Sequence, residues 1–195
     1  YLAHTPADAI FLLGDLFEVW VGDDALAEPG SFESRCCALL AQAARQHALY
    51  FLHGNRDFLI GEGFARASGV ALLPDPTVLA FAGQRWLLSH GDALCLDDVE
   101  YQRFRALARS PAWQHAFLAA PLAQRRAQAR SMRAQSEAHK HASTWYADVD
   151  HPAALAWLQA ASAQALIHGH THRPATPVLA PGQLRHVLSG WDLDA

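Results

Sequence analysis

Four short apolar runs along this chain each end on a glycine flanked by Asp, Asn or His. They are AIFLLGDLFE (Ala9 to Glu18), LYFLHGNRDF (Leu49 to Phe58), RWLLSHGDAL (Arg85 to Leu94) and ALIHGHTHRP (Ala165 to Pro174). Continuous apolar runs bounded by turn residues predict strands buried on both faces. Between the first two, Phe32 to His47 sets small and apolar residues on a helical period, and Ala153 to Ala163 is a second helical stretch before the last run. Strand, helix, strand predicts an α/β layered fold with right-handed crossovers. Sites in such sheets gather beyond the carboxyl ends of the strands, so the four polar turns are expected to converge at successive strand ends although they lie far apart in the chain.

Composition narrows the class. With 195 residues, 51% hydrophobic and 17% charged, the chain is expected to form one globular domain over residues 1–195 rather than a disordered polyampholyte. No apolar run is long enough for a bilayer span and the N-terminus lacks a secretory pattern, which predicts a cytoplasmic protein. Cys36 and Cys37 are neighbours and Cys95 is the odd third cysteine, a usage that predicts reduced thiols instead of a disulfide framework.

Twelve histidines are the compositional anomaly, and three of them crowd into GHTH with the preceding His168. Asp15 closes the first run, Asn55 the second, His90 the third, and His170 and His172 the last. A carboxylate, an amide and imidazoles without a thiolate suit a divalent ion such as Mn²⁺, Fe²⁺ or Zn²⁺. A carboxylate can bridge two ions, and a two-metal site activates water and clamps a phosphoryl group. A lone Gly-Asp is an ordinary turn and a lone buried His an ordinary core residue. Four such motifs at four strand ends favour metal. If the GHTH segment is extended, the rings of His170 and His172 point the same way, one for each ion. His168 reads as structural, and His4, His47, His115, His139, His141 and His151 as solvated or packed.

On these residues the chain resembles the calcineurin-like metallophosphoesterases, whose signature runs Asp-x-His, Gly-Asp, Gly-Asn-His or Gly-Asn-Arg-Asp, His and Gly-His-x-His. LGDLFEVWVGDD (Leu13 to Asp24), FLHGNRDFLIG (Phe51 to Gly61), SHGDALCLDD (Ser89 to Asp98) and IHGHTHRP (Ile167 to Pro174) are similar to one branch of that family. That branch hydrolyses the pyrophosphate bond of UDP-2,3-diacylglucosamine to UMP and 2,3-diacylglucosamine 1-phosphate, in lipid A biosynthesis. The resemblance implies a layered α-β-β-α sandwich and a hydroxide held by two Mn²⁺ as nucleophile. It implies Asp15 as the bridging ligand, Asn55, His90 and His170 on one metal and His172 on the other. Arg56 then contacts phosphate, which suits a guanidinium facing developing negative charge. The substrate set it implies is Asn55, Arg56, Asp98, Ser136, Lys140 and His170. Asp98 reads nearly as well as the N-cap of a helix starting near Val99.

Charge is uneven. Between Tyr101 and Ser136 lie Arg103, Arg105, Arg109, Arg125, Arg126, Arg130 and Arg133 with no acid, so this stretch carries +7 and the remainder −11 of a net −4. By the resemblance, residues 99–147 form a helical lipid-binding insertion over the active site. Trp113, Phe117, Leu118 and Leu122 would receive acyl chains, and the arginines would meet an anionic inner-membrane surface. A solvated arginine face over a buried apolar stripe is the plainer reading. No aromatic platform or known motif supports a nucleic-acid partner, and no obligate protein partner is evident. The family's first strand with Asp-x-His and its closing strands are expected to be missing from this stretch, leaving one metal site incomplete. Another dimetal phosphodiesterase acting on a soluble nucleotide, and an inactive fragment that only binds lipid nucleotide, are the alternatives.

Overall fold

The computed structural model describes residues 2, 4–142 and 147–190, with the side chains of 136–142 outside that description. The chain forms two compact units, residues 1–73 with 104–146 and residues 74–103 with 147–195. All four apolar runs are strands: β1 (Ala9–Leu12), β2 (Ala48–Leu52), β5 (Gln84–Ser89) and β6 (Ala165–His168). They are not consecutive, because β3 (Ala71–Leu73) and the edge strand β4 (Thr77–Phe81) intervene, and β7 (Val178–Ala180) and β8 (Gln183–Val187) follow.

In the first unit β1, β2 and β3 form a parallel sheet, with Ala9 opposite Ala48 and Tyr50 opposite Ala71. Its crossovers carry helices α1 (Phe32–Ala43) and α2 (Glu62–Ser68). Ser31 caps α1 by accepting the Ser34 N–H. The helix stops at Ala43 instead of His47, because the amides of Gln46 and His47 both turn back to the Ala43 carbonyl. Phe17, Trp20, Phe51 and Phe64 form the aromatic centre of the core, with Phe17 and Trp20 ring centroids 4.6 Å apart.

Three helices occupy the expected insertion: α3 (Val99–Ala108), α4 (Pro111–Leu118) and α5 (Leu122–Ala142). The apolar residues expected to receive acyl chains are mostly structural. Phe117 is buried in the core, Trp113 stacks on it at 4.8 Å, and Leu122 packs against the same cluster. Only Leu118, 41% exposed, faces outward. Much of the arginine strip is neutralised inside this unit. Arg125 is enclosed, donating to the Val21 carbonyl and, through Nε at 2.8 Å, to that of Ala120, while pairing with Asp24. Arg126 reaches Glu28 at 2.7 Å and Glu33 at 3.3 Å. Arg109 donates to the Gly54 carbonyl at 3.1 Å and lies 5.7 Å over the Phe58 ring.

The second unit holds a five-stranded sheet in the order β4-β5-β6-β8-β7, with β5, β6 and β8 mutually parallel and both edge strands antiparallel to their neighbours. Helix α6 (His151–Ala161) buries Ala154 and Leu158 in a cluster with Leu87, Leu94 and Leu166. It begins two residues before the expected start, since Asp150 accepts the Ala153 N–H at 2.8 Å and Pro152 fits the first turn. Cys36, Cys37 and Cys95 are free thiols, and burial pushes Cys37 up to about 11 and Cys95 to about 12. Among the described residues no helix is long and apolar enough to cross a membrane.

Candidate metal centre and phosphate site

In the first unit the turns after β1 and β2 are locked together by one buried carboxylate. Asp57, at 0% exposure, accepts N–H groups from Gly54 at 2.8 Å, Asp15 at 3.2 Å, Leu16 at 2.7 Å and Phe17 at 3.4 Å. Asp15 in turn accepts the Arg56 N–H at 2.9 Å, so the two turns exchange bonds in both directions. Gly54 is required at this approach, because a Cβ there would collide with the Asp15 amide and carboxylate. Asn55 and Arg56 are half-buried beside it. The Arg56 guanidinium meets Asp15 at 3.4 Å and Glu18 at 2.8 Å.

In the second unit the turns after β5 and β6 also come together. His90 is buried, its N–H donating to Asp75 at 3.3 Å, and its carbonyl accepts the Gly169 N–H at 3.1 Å. The rings of His90 and His170 lie 5.0 Å apart, and Tyr101 stacks on His170 at 6.0 Å while donating its hydroxyl to buried Asp92. His172 sits against Gly190, where a Cβ would come within 2.8 Å of the ring. The GHTH segment is not extended. His170 and His172 both have left-handed backbones, with φ of 63° and 52°, so strand alternation does not set their ring directions.

Asp15, at φ 54°, shares that conformation. Three of the five described non-glycine residues with positive φ are therefore expected metal donors, the others being Ala82 and the helix cap Ser162. Each such residue costs on the order of 1 kcal/mol or more and persists where the surroundings hold it for another purpose. In each unit by itself the strain falls on a donor that suits divalent cations, a carboxylate in the first and two imidazoles in the second, with no thiolate among them.

Asp98 does cap α3, accepting the Tyr101 N–H at 3.0 Å. Ser136 and Lys140 lie on α5, but their side chains fall outside the described residues, as do those of His139 and His141. Asp57, Glu18 and Tyr101 were not singled out by sequence, although Asp57 and Glu18 stand inside the quoted motifs.

His168 is buried and neutral. Burial pushes its imidazole down to about 4, and Nδ1–H donates to the Gly169 carbonyl at 2.9 Å. The folded chain then binds fewer protons than the unfolded chain between about pH 4 and the usual 6.5. Stability present above that window should fall as pH drops through it, by about 3 kcal/mol in full. Urea unfolding with chelator present, at about pH 7 and about pH 4, checks this, and His168→Gln should flatten the slope.

A side of the first unit carries a cleft of about 370 Å³ lined by Phe58, Leu59, Ile60 and Leu118, with His53 and Arg109 among its polar members.

The family model for calcineurin-like phosphoesterases matches residues 2–174. UDP-2,3-diacylglucosamine hydrolase of Chromobacterium violaceum is 50% identical over 185 residues, which cover 94% of this chain and 76% of that protein. The protein of the same name from Aromatoleum aromaticum is 47% identical over 96% of this chain and 77% of its own. That of Escherichia coli K12 is 45% identical over 95% and 78%.

Proposed function

We propose, because this chain belongs to the calcineurin-like phosphoesterase family, that it is a metal-dependent hydrolase of the pyrophosphate bond of UDP-2,3-diacylglucosamine. The products are UMP and 2,3-diacylglucosamine 1-phosphate. The observation that carries this reading is identity of 45–50% to proteins named for that substrate over about 95% of the chain. Asp15, Asn55, His90, His170 and His172 are this stretch's donors to two Mn²⁺ in this reading, with His172 and the shared Asp15 at the second, incomplete site. Divalent ions in such a set supply Lewis-acid activation of water and charge for phosphoryl oxygens.

The chain's own residues then divide the work. Asp57 holds the Asp15 and Asn55 turns in register through its four N–H bonds. Arg56 offers a fork of N–H donors to phosphoryl oxygens, and gains strength there as negative charge develops. His170 and Asp98 contribute to the nucleotide or sugar end, together with Ser136 and Lys140. The apolar wall of Phe58, Leu59, Ile60 and Leu118 takes acyl chain, at roughly 0.8 kcal/mol per buried methylene. A substrate with two long chains resides in lipid, so the protein works at the cytoplasmic face of the inner membrane.

Most of the affinity then comes from lipid rather than uridine. With both substrates presented in mixed micelles, kcat/KM for UDP-glucose should lie at least about a thousandfold below that for UDP-2,3-diacylglucosamine, the equivalent of only a few buried methylenes. Comparable values would replace the lipid nucleotide with a soluble one.

A further inference from the structure

Glu18, three residues beyond Asp15, carries a carboxylate 75% exposed that two guanidiniums share. Arg56, from the turn after β2, donates to Glu18 Oε2 at 2.8 Å. Arg133, from α5 in the insertion, pairs with that same oxygen and also donates to the Glu18 main-chain carbonyl at 3.0 Å. Both guanidiniums are partly open to solvent, at 30% and 37%. Surface ion pairs contribute about 0–1 kcal/mol to folding, so stability is a poor account of this assembly.

We propose that Glu18 is a positioning residue that gathers Arg56 and Arg133 into a paired-guanidinium site for the phosphoryl oxygens of the substrate. This rests on the reading of Arg56 as a phosphate contact. Two guanidiniums brought together without a counter-charge repel and lose side-chain order. One carboxylate oxygen between them offsets the repulsion and fixes their spacing, while the trio keeps a net positive charge for an incoming anion. Asp15 also touches Arg56, but a carboxylate committed to a cation attracts a guanidinium less, which leaves Glu18 as the group that holds Arg56 in place. The two arginines come from segments 77 positions apart in sequence, Arg56 and Arg133, so the site forms only when the insertion is docked on the β1 turn.

The test uses the whole metal-loaded chain and two readouts: steady-state hydrolysis of UDP-2,3-diacylglucosamine in mixed micelles, and calorimetric titration with inorganic pyrophosphate. Glu18→Ala should raise both KM and the pyrophosphate Kd on the order of tenfold, the size of one charge-assisted hydrogen bond, with the melting temperature unchanged. Glu18→Asp should recover part of that loss. Arg133→Ala should act in the same direction, and Glu18→Ala with Arg133→Ala should match Glu18→Ala to within about twofold, since neighbours that act as a unit are not additive. Unchanged KM and Kd in Glu18→Ala would overturn the proposal. Tighter pyrophosphate binding would also overturn it, by making Glu18 a competitor for the arginines. Arg56→Ala that binds pyrophosphate as well as the wild type removes the premise. Wild-type protein inactive on UDP-2,3-diacylglucosamine defeats the functional reading alone, and the pyrophosphate titrations still decide the role of Glu18.

Discussion

Asp57→Ala should cost this protein about 4 kcal/mol or more and its activity with it. The substitution strips an acceptor from four backbone N–H groups at once, those of Asp15, Leu16, Phe17 and Gly54. The carboxylate is fully enclosed, so water cannot replace it without opening the turns. Each buried donor left unsatisfied costs on the order of 1–3 kcal/mol, and a domain holds only about 5–15 kcal/mol in total. The urea midpoint should fall steeply, or the variant should fail to accumulate in soluble form. Asp57→Asn keeps one acceptor oxygen and should fall between the variant and the wild type. A wild-type midpoint in either would show that the two turns are held by something other than this carboxylate.

His90→Ala should produce the complementary result, with chemistry lost and architecture kept. Its imidazole is one of the metal donors in our reading, it faces the His170 ring at 5.0 Å, and it makes its backbone bonds to Asp75 and Gly169 through main-chain atoms that alanine retains. Turnover of UDP-2,3-diacylglucosamine should drop by a factor on the order of a thousand, metal content by elemental analysis should fall, and the far-ultraviolet circular dichroism should stay that of the parent. Chelation of the wild type should reproduce the loss, with recovery on adding Mn²⁺. Full turnover in His90→Ala with metal in excess would take His90 out of the donor set.

The strands that end in candidate donors were legible because each is an unbroken apolar run closed by Gly with Asp, Asn or His, a pattern that survives without tertiary information. β3 and β4 lack that closure: Ala71–Leu73 is three residues long, and Thr77–Phe81 is an edge strand with largely exposed side chains. The division into two units was illegible, because residues 104–146 join the first unit through contacts made far along the chain. Charge counting revealed seven arginines without nearby acids, but not that Glu18, Asp24, Glu28 and Glu33 wait on the β1 side for Arg125, Arg126 and Arg133. The donors in GHTH are legible by residue type but their orientation is not, since the alternation rule holds only for extended backbone and His170 and His172 are left-handed. Asp57 escaped for a related reason. In sequence it is one more turn aspartate, and only the backbone path shows four amides aimed at it.

The Arg125 bond to the Val21 carbonyl closes a loop of 104 positions and sets an order of events during synthesis. As the chain leaves the ribosome, β1, α1, β2 and α2 emerge before the insertion, yet the segment whose Phe117 and Leu122 pack on the cluster of Phe17 and Trp20, and whose Arg125 satisfies Val21, follows only after β4 and β5 have been laid down in the other unit. The N-terminal sheet must therefore wait, partly uncovered, for residues 117–133. Loop closure over such a span costs only slowly more with length, about 0.6 kcal/mol per doubling, so the penalty lies in time rather than in final stability. During that interval the uncovered aromatic residues of this cluster are open to aggregation, and slowing translation just before Phe117 would prolong the exposure.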